Sequence, residues 1–179
     1  MSHPGLGEWN IRDLAGHTSR SLITVETYLA VPMTSDPPTL RDPVAYYRAT
    51  AATLAGAAAV VERGRQAGRD LGPDPVQTVQ RLVDRVIAIV RDSPDDSILT
   101  TPFGTIGLLD YLPTRTFELT VHSLDLIRAA AVALPSQLDG AIDASLQLAA
   151  RMAYESERGV PALLALTGRQ QLPEGFSVV

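Results

Sequence analysis

Glu118 and His122 stand four residues apart in Arg115-Thr116-Phe117-Glu118-Leu119-Thr120-Val121-His122-Ser123-Leu124-Asp125, a stretch that reads as helix. That spacing puts both side chains on one helix face, with Cβ atoms about 6 Å apart. A carboxylate and an imidazole so placed can close on one divalent cation. A second imidazole, His17, lies far off in the chain within another helical pattern, Asn10-Ile11-Arg12-Asp13-Leu14-Ala15-Gly16-His17. Three ligands from His17, Glu118 and His122 would leave coordination positions open, as catalytic sites do and structural sites do not. Imidazole nitrogen with carboxylate oxygen suits Zn²⁺ and neighbouring first-row ions. Arg115 and Asp125 share that helix face. Asp125 is placed to accept the second N–H of an imidazole, and Arg115 to meet a substrate.

The pattern alone leaves blander readings open. A Glu/His pair at this spacing also occurs as a plain surface pair, and a lone histidine also caps or lines a core. An Arg–Asp face can be a set of solvated pairs of little energetic consequence.

The elements that must position these residues read as helices. Asn10 with Asp13 is a helix start, and apolar residues from Ile11 to Leu29 recur at helical spacing, with Pro32 closing the run. Trp9 fits the residue before the cap in a hydrophobic staple. After a proline-rich loop, Asp42-Pro43 opens an alanine-rich helix over 44–66 that Gly68 and Gly72 break. Asp74-Pro75 opens another, running to about Arg91. Residues 97–107 are the least helical part, a small hairpin or an extended loop, and lead into the Glu118 helix as part of a pocket rim. Pro113 falls early in that helix, in its first turn or at a kink. Pro135-Ser136 begins a further helix ending near Gly159, followed by a short apolar helical piece over 160–167. One all-α domain is the expectation.

Composition narrows the function. With 179 residues the chain can bury one sizeable core. A net charge of −5 and the lack of a basic stripe weigh against a nucleic-acid partner. There is no cysteine, so the protein supplies neither a disulfide nor a thiolate nucleophile. Every one of the 15 basic side chains is arginine, which removes Schiff-base chemistry and points to a gene of high GC content. No apolar run reaches the roughly 18 residues of a membrane span, and no signal-peptide core is seen, so a cytoplasmic protein without a membrane partner is expected.

Two segments resemble a known family. Gly7-Glu8-Trp9-Asn10-Ile11-Arg12-Asp13-Leu14-Ala15-Gly16-His17 resembles the W-[TS]-V-R-D-L-x-x-H signature of the mycothiol-dependent maleylpyruvate isomerases. Arg115 to Leu126 resembles their R-x-x-E-x-x-x-H-x-x-D motif. The resemblance covers roughly residues 7–131, leaving 132–179 as a helical extension of the same domain. It implies a DinB-like bundle of the four-helix type, here without the family's usual first helix. It also implies His17, Glu118 and His122 as divalent-metal ligands, zinc foremost, and mycothiol, a thiol of actinobacteria, as co-substrate. A thiol on the metal would be held as thiolate. It would then add to a small electrophile, as isomerase or as transferase. The alternative is a bundle that binds metal or a small ligand without turnover, in a regulatory or dimerising role. Because alanine offers the 44–66 helix little bulk to cover the first helix, a homodimer whose interface includes the helices around Leu14 and Leu22 or their neighbours is also expected.

Overall fold

The structure, a computed structural model, describes residues 5–31, 36–52 and 57–179. Local chemistry explains most element starts. Helix α1 (Ile11–Leu29) opens on a reciprocal capping box, Asn10 accepting from the Asp13 amide and Asp13 from the Asn10 amide. Helix α2 (Pro43–Ala52) follows Asp42, whose carboxylate accepts from the Ala45 amide. Helix α3 spans Ala57–Asp70, and α4 (Pro75–Asp92) starts with proline behind the Asp74 cap. Strands β1 (Ile98–Thr101) and β2 (Gly104–Gly107) form an antiparallel hairpin, the tighter of the two readings of that segment. Helices α5 (Leu108–Ala130), α6 (Asp139–Glu155), which a 3-10 turn over Ser136–Leu138 precedes, and α7 (Gly159–Leu166) complete the described elements.

The long helices α1 and α5 pack on each other at the centre; α3 and α4 flank α1, while α2 and α6 flank α5. Two apolar clusters fill the layers. One gathers Val25, Tyr46, Leu82, Leu99, Ile106 and Tyr111, the other Val44, Tyr47, Phe117, Leu148 and Met152. The fold is an all-α bundle with one small hairpin, as expected. Among the described residues no helix is long and apolar enough to cross a membrane.

The expected 44–66 helix is described over 44–52 as α2 and from Ala57 onward as α3, its course over 53–56 lying outside the described residues. Three expectations need correction. Gly68 does not break α3 but lies within it; Gly72, at φ +69°, follows its end. Pro113 sits beyond the first turn of α5, and the helix runs on through it. The expected role of Pro32 falls outside the described residues.

The cover of α1 is the third and largest correction. Leu14 is fully buried, and Leu22 is partly buried against the core. The alanine-rich helix covers α1 after all, through closeness rather than bulk. A Cβ on Gly16 would come within 2.2 Å of the Gly68 backbone nitrogen, and one on Gly64 within 2.5 Å of the Trp9 ring. Arg12 ties the crossing down by donating to the carbonyls of Gly68 and Gly72 at the end of α3. Gly16→Ala is therefore expected to cost about 3 kcal/mol through overpacking. In a chain of this size that lowers the thermal midpoint by about 6–12 °C. An unchanged midpoint by circular dichroism would show that the two helices do not cross this closely.

Candidate functional site

α5 presents Arg115, Glu118, His122 and Asp125 along one face, and α1 brings His17 against it. The His17 and His122 rings meet edge to face, centroids 4.7 Å apart. Trp9 lies on the other side of His17, centroids 4.4 Å apart, and its indole N–H donates to the Val61 carbonyl at 2.9 Å. The tryptophan motif thus divides its labour. Trp9 backs the imidazole, Asn10 and Asp13 start the helix, Arg12 and Gly16 seat α3, and His17 faces the site.

A chain of hydrogen bonds orients the other two candidate ligands. Asp125 Oδ2 lies 3.3 Å from His122 Nδ1 and accepts its proton, which turns the other ring nitrogen outward. That nitrogen, Nε2, stands 3.5 Å from Glu118 Oε2. The second carboxylate oxygen, Oε1, accepts from the Tyr47 hydroxyl at 2.8 Å. With Nδ1–H given to Asp125, Nε2 and Glu118 are two acceptors facing each other. Only a cation between them, a proton or a metal ion, makes that approach favourable.

The electrostatics agree. Burial works against charge on His122, but the hydrogen bond and charge of Glu118, joined by Asp125, outweigh it and raise the pKa above the usual imidazole value. Burial also opposes charge on Glu118, yet His122, Tyr47 and Arg115 together hold its carboxyl below the usual range. His17 goes the other way. Burial first, then the neighbouring His122, lower it to about 4, so it is neutral with a free lone pair at neutral pH. Its Nδ1 is buried without any hydrogen-bond partner. An imidazole nitrogen without a partner, a carboxylate and an oriented second imidazole are ligand types that divalent cations take. Among the described residues, no three of His, Cys, Asp and Glu are yet drawn to ligand distances around one point. Glu118 instead directs both oxygens at Tyr47 and His122.

A cavity of about 390 Å³ opens on His17 and Glu118, with Pro102 and Phe103 of the hairpin turn on its rim. The rim expected of residues 97–107 is therefore present. Arg115 is held within the wall, its guanidinium 4.9 Å from the Tyr111 ring centroid and 5.3 Å from that of Tyr46. Arg20 and Arg63 also line this cavity, and neither forms an ion pair with a described carboxylate. A second cavity, about 420 Å³, reaches Glu118 from the side of Tyr47 and Met152. Glu118 thus faces two cavities.

Sequence reasoning missed Tyr47, Arg20 and Arg63. Arg20 follows His17 by three and could have been found by helical spacing. The aromatic pair Tyr46-Tyr47 in an alanine-rich run was a weaker signal, and nothing local marks Arg63.

No curated protein and no solved structure matches the chain. Residues 3–127 match the family model described as the mycothiol maleylpyruvate isomerase N-terminal domain. This span contains Trp9, His17, Tyr47, Glu118, His122 and Asp125, and on it the chain belongs to that family.

Proposed function

We propose that the chain binds one divalent cation, zinc foremost, through His17, Glu118 and His122, and with it joins a small thiol, mycothiol in this family, to a small anionic electrophile. The observation that carries this reading is the approach of His122 Nε2 to Glu118 Oε2 beside a His17 ring whose buried Nδ1 has no hydrogen-bond partner. When bound, such a cation lowers the pKa of a thiol and supplies the nucleophile that a cysteine-free protein lacks.

The chain's own residues do the rest. Asp125 orients the His122 ring and Tyr47 orients the Glu118 carboxylate. Trp9 shields one face of His17 from water. Around the mouth, Arg20, Arg63 and Arg115 outnumber Glu118 as charges, in a protein that is acidic as a whole. A carboxylate-bearing electrophile would be drawn in and held there.

The test is consumption of mycothiol by the zinc-loaded protein against a panel of electrophiles supplied as carboxylates and as their neutral amides. Carboxylates are expected to react with a kcat/KM about tenfold to a hundredfold higher, and Arg63→Ala to erase most of that preference. Stoichiometric metal with neither thiol consumed nor electrophile converted across the panel would point to a binding module without turnover.

A further inference from the structure

The outer face formed by α6 and α7 is unusually apolar. Helix α7 has the composition Gly-Val-Pro-Ala-Leu-Leu-Ala-Leu, without a charge, and none of its residues is buried. Val160, Leu163 and Leu166 follow each other at intervals of three and remain 71, 63 and 77% exposed. On α6, Leu146 and Tyr154 lie eight apart on one stripe, at 60 and 78%. Leu146, Leu166 and Leu172 line a common groove of about 480 Å³ between the two helices. We propose that this α6–α7 face is the contact between two copies of the chain.

Exposure, charge and symmetry favour a second copy. With Leu172 at 50%, six large side chains of this face are each half or more exposed, the kind of apolar surface that an interface core buries. Isolated monomers seldom leave so much contiguous apolar surface in water. Two chains of net charge −5 repel, and an uncharged helix is the place where they can meet with least cost. The ends of α7 are complementary to each other. Glu157 precedes the helix and Arg169 follows it, both exposed and neither in an ion pair among the described residues. A two-fold axis that lays α7 antiparallel on its copy sets each Glu157 beside Arg169 of the second copy. A lipid surface fits less well, since the exposed Arg158 and Arg169 at the ends of α7 stand with the exposed Glu157 and do not make a uniformly basic rim for anionic headgroups.

Sedimentation equilibrium of the full chain across the micromolar range is expected to return twice the 19.1 kDa chain mass. Leu163→Glu with Leu166→Glu should yield a monomer of unchanged helicity and melting temperature, while Val76→Glu, an exposed position on α4, leaves the dimer intact. Glu157→Arg should weaken dimerisation about threefold to tenfold, and adding Arg169→Glu should restore it. This rescue cannot come from a misfolded variant. A wild-type monomer overturns the proposal, as does a dimer that survives the double leucine substitution. A dimer indifferent to both charge reversals overturns the antiparallel pairing. A monomer that pellets with phospholipid vesicles assigns the face to lipid.

Discussion

His122→Ala is expected to remove stoichiometric divalent metal from the protein, lowering affinity about a hundredfold or more. Removing one of three ligands takes away its bond and also leaves Glu118 without the partner that orients it. Substitutions one step further out should cost less. Asp125→Asn frees the His122 ring and Tyr47→Phe frees Glu118 Oε1, each at about tenfold to a hundredfold in affinity. Below the raised pKa of His122, wild-type affinity should also drop about tenfold per pH unit, because one proton must leave Nε2 for each ion bound. Competition against a chromophoric chelator measures all four values, and elemental analysis gives the stoichiometry. A full equivalent of zinc retained by His122→Ala after chelation and reloading would show the ligand set to be wrong. Affinity unchanged in both outer variants would mean that the hydrogen-bonded chain from Asp125 to Tyr47 plays no part in holding the ion.

The metal-free protein should be most stable close to pH 6.5 and lose stability on both sides, since its two site histidines act with opposite signs. His17 has a folded pKa of about 4 against 6.5 when unfolded. The unfolded chain therefore takes up a proton that the fold refuses. The stability from keeping His17 neutral is full above 6.5 and is lost as pH falls toward 4. Discounted for its partial exposure, this limb amounts to about 2 kcal/mol. Glu118, whose folded pKa is lowered, adds to it. Its contribution is present above the unfolded carboxylate pKa and disappears as pH falls through the folded one. His122 behaves oppositely. Its folded pKa is raised, so its contribution is complete below 6.5 and is lost as pH rises through the raised value. Thermal melts in the presence of a chelator test the signs. His17→Gln should flatten the acid limb and His122→Gln the alkaline one. An acid limb of the same slope in His17→Gln would exclude His17 as its source.

Much of the fold was legible because its signals are local. A cap and its partner lie three residues apart, as in Asn10 with Asp13, and proline after aspartate marks the starts of α2 and α4. The facing of Glu118 and His122 follows from helical geometry alone, and so does the reach of Asp125 to His122. Two motifs, each within a single helix start or face, were enough to mark the family and to single out His17, Glu118 and His122 together.

What periodicity does not encode is which helix meets which, and at what distance. The cover of α1 was misjudged because side-chain bulk was taken as the measure of burial. At Gly16 and Gly68 the absence of side chains lets two backbones touch, and van der Waals contact there needs no bulk. Tyr47 reached Glu118 across 71 positions of chain, and Trp9 reached Val61 across 52. Neither pairing leaves a trace in local spacing. The amino-acid sequence by itself determined the helices, the face of α5 that carries Glu118 and His122 and the chemistry available there. Only the tertiary structure decided that His17 would be buried neutral, that arginines would ring the cavity, and that α7 would lie outside the core. Burial and field at a point are sums over residues distant in sequence, and they exist only once the helices have packed.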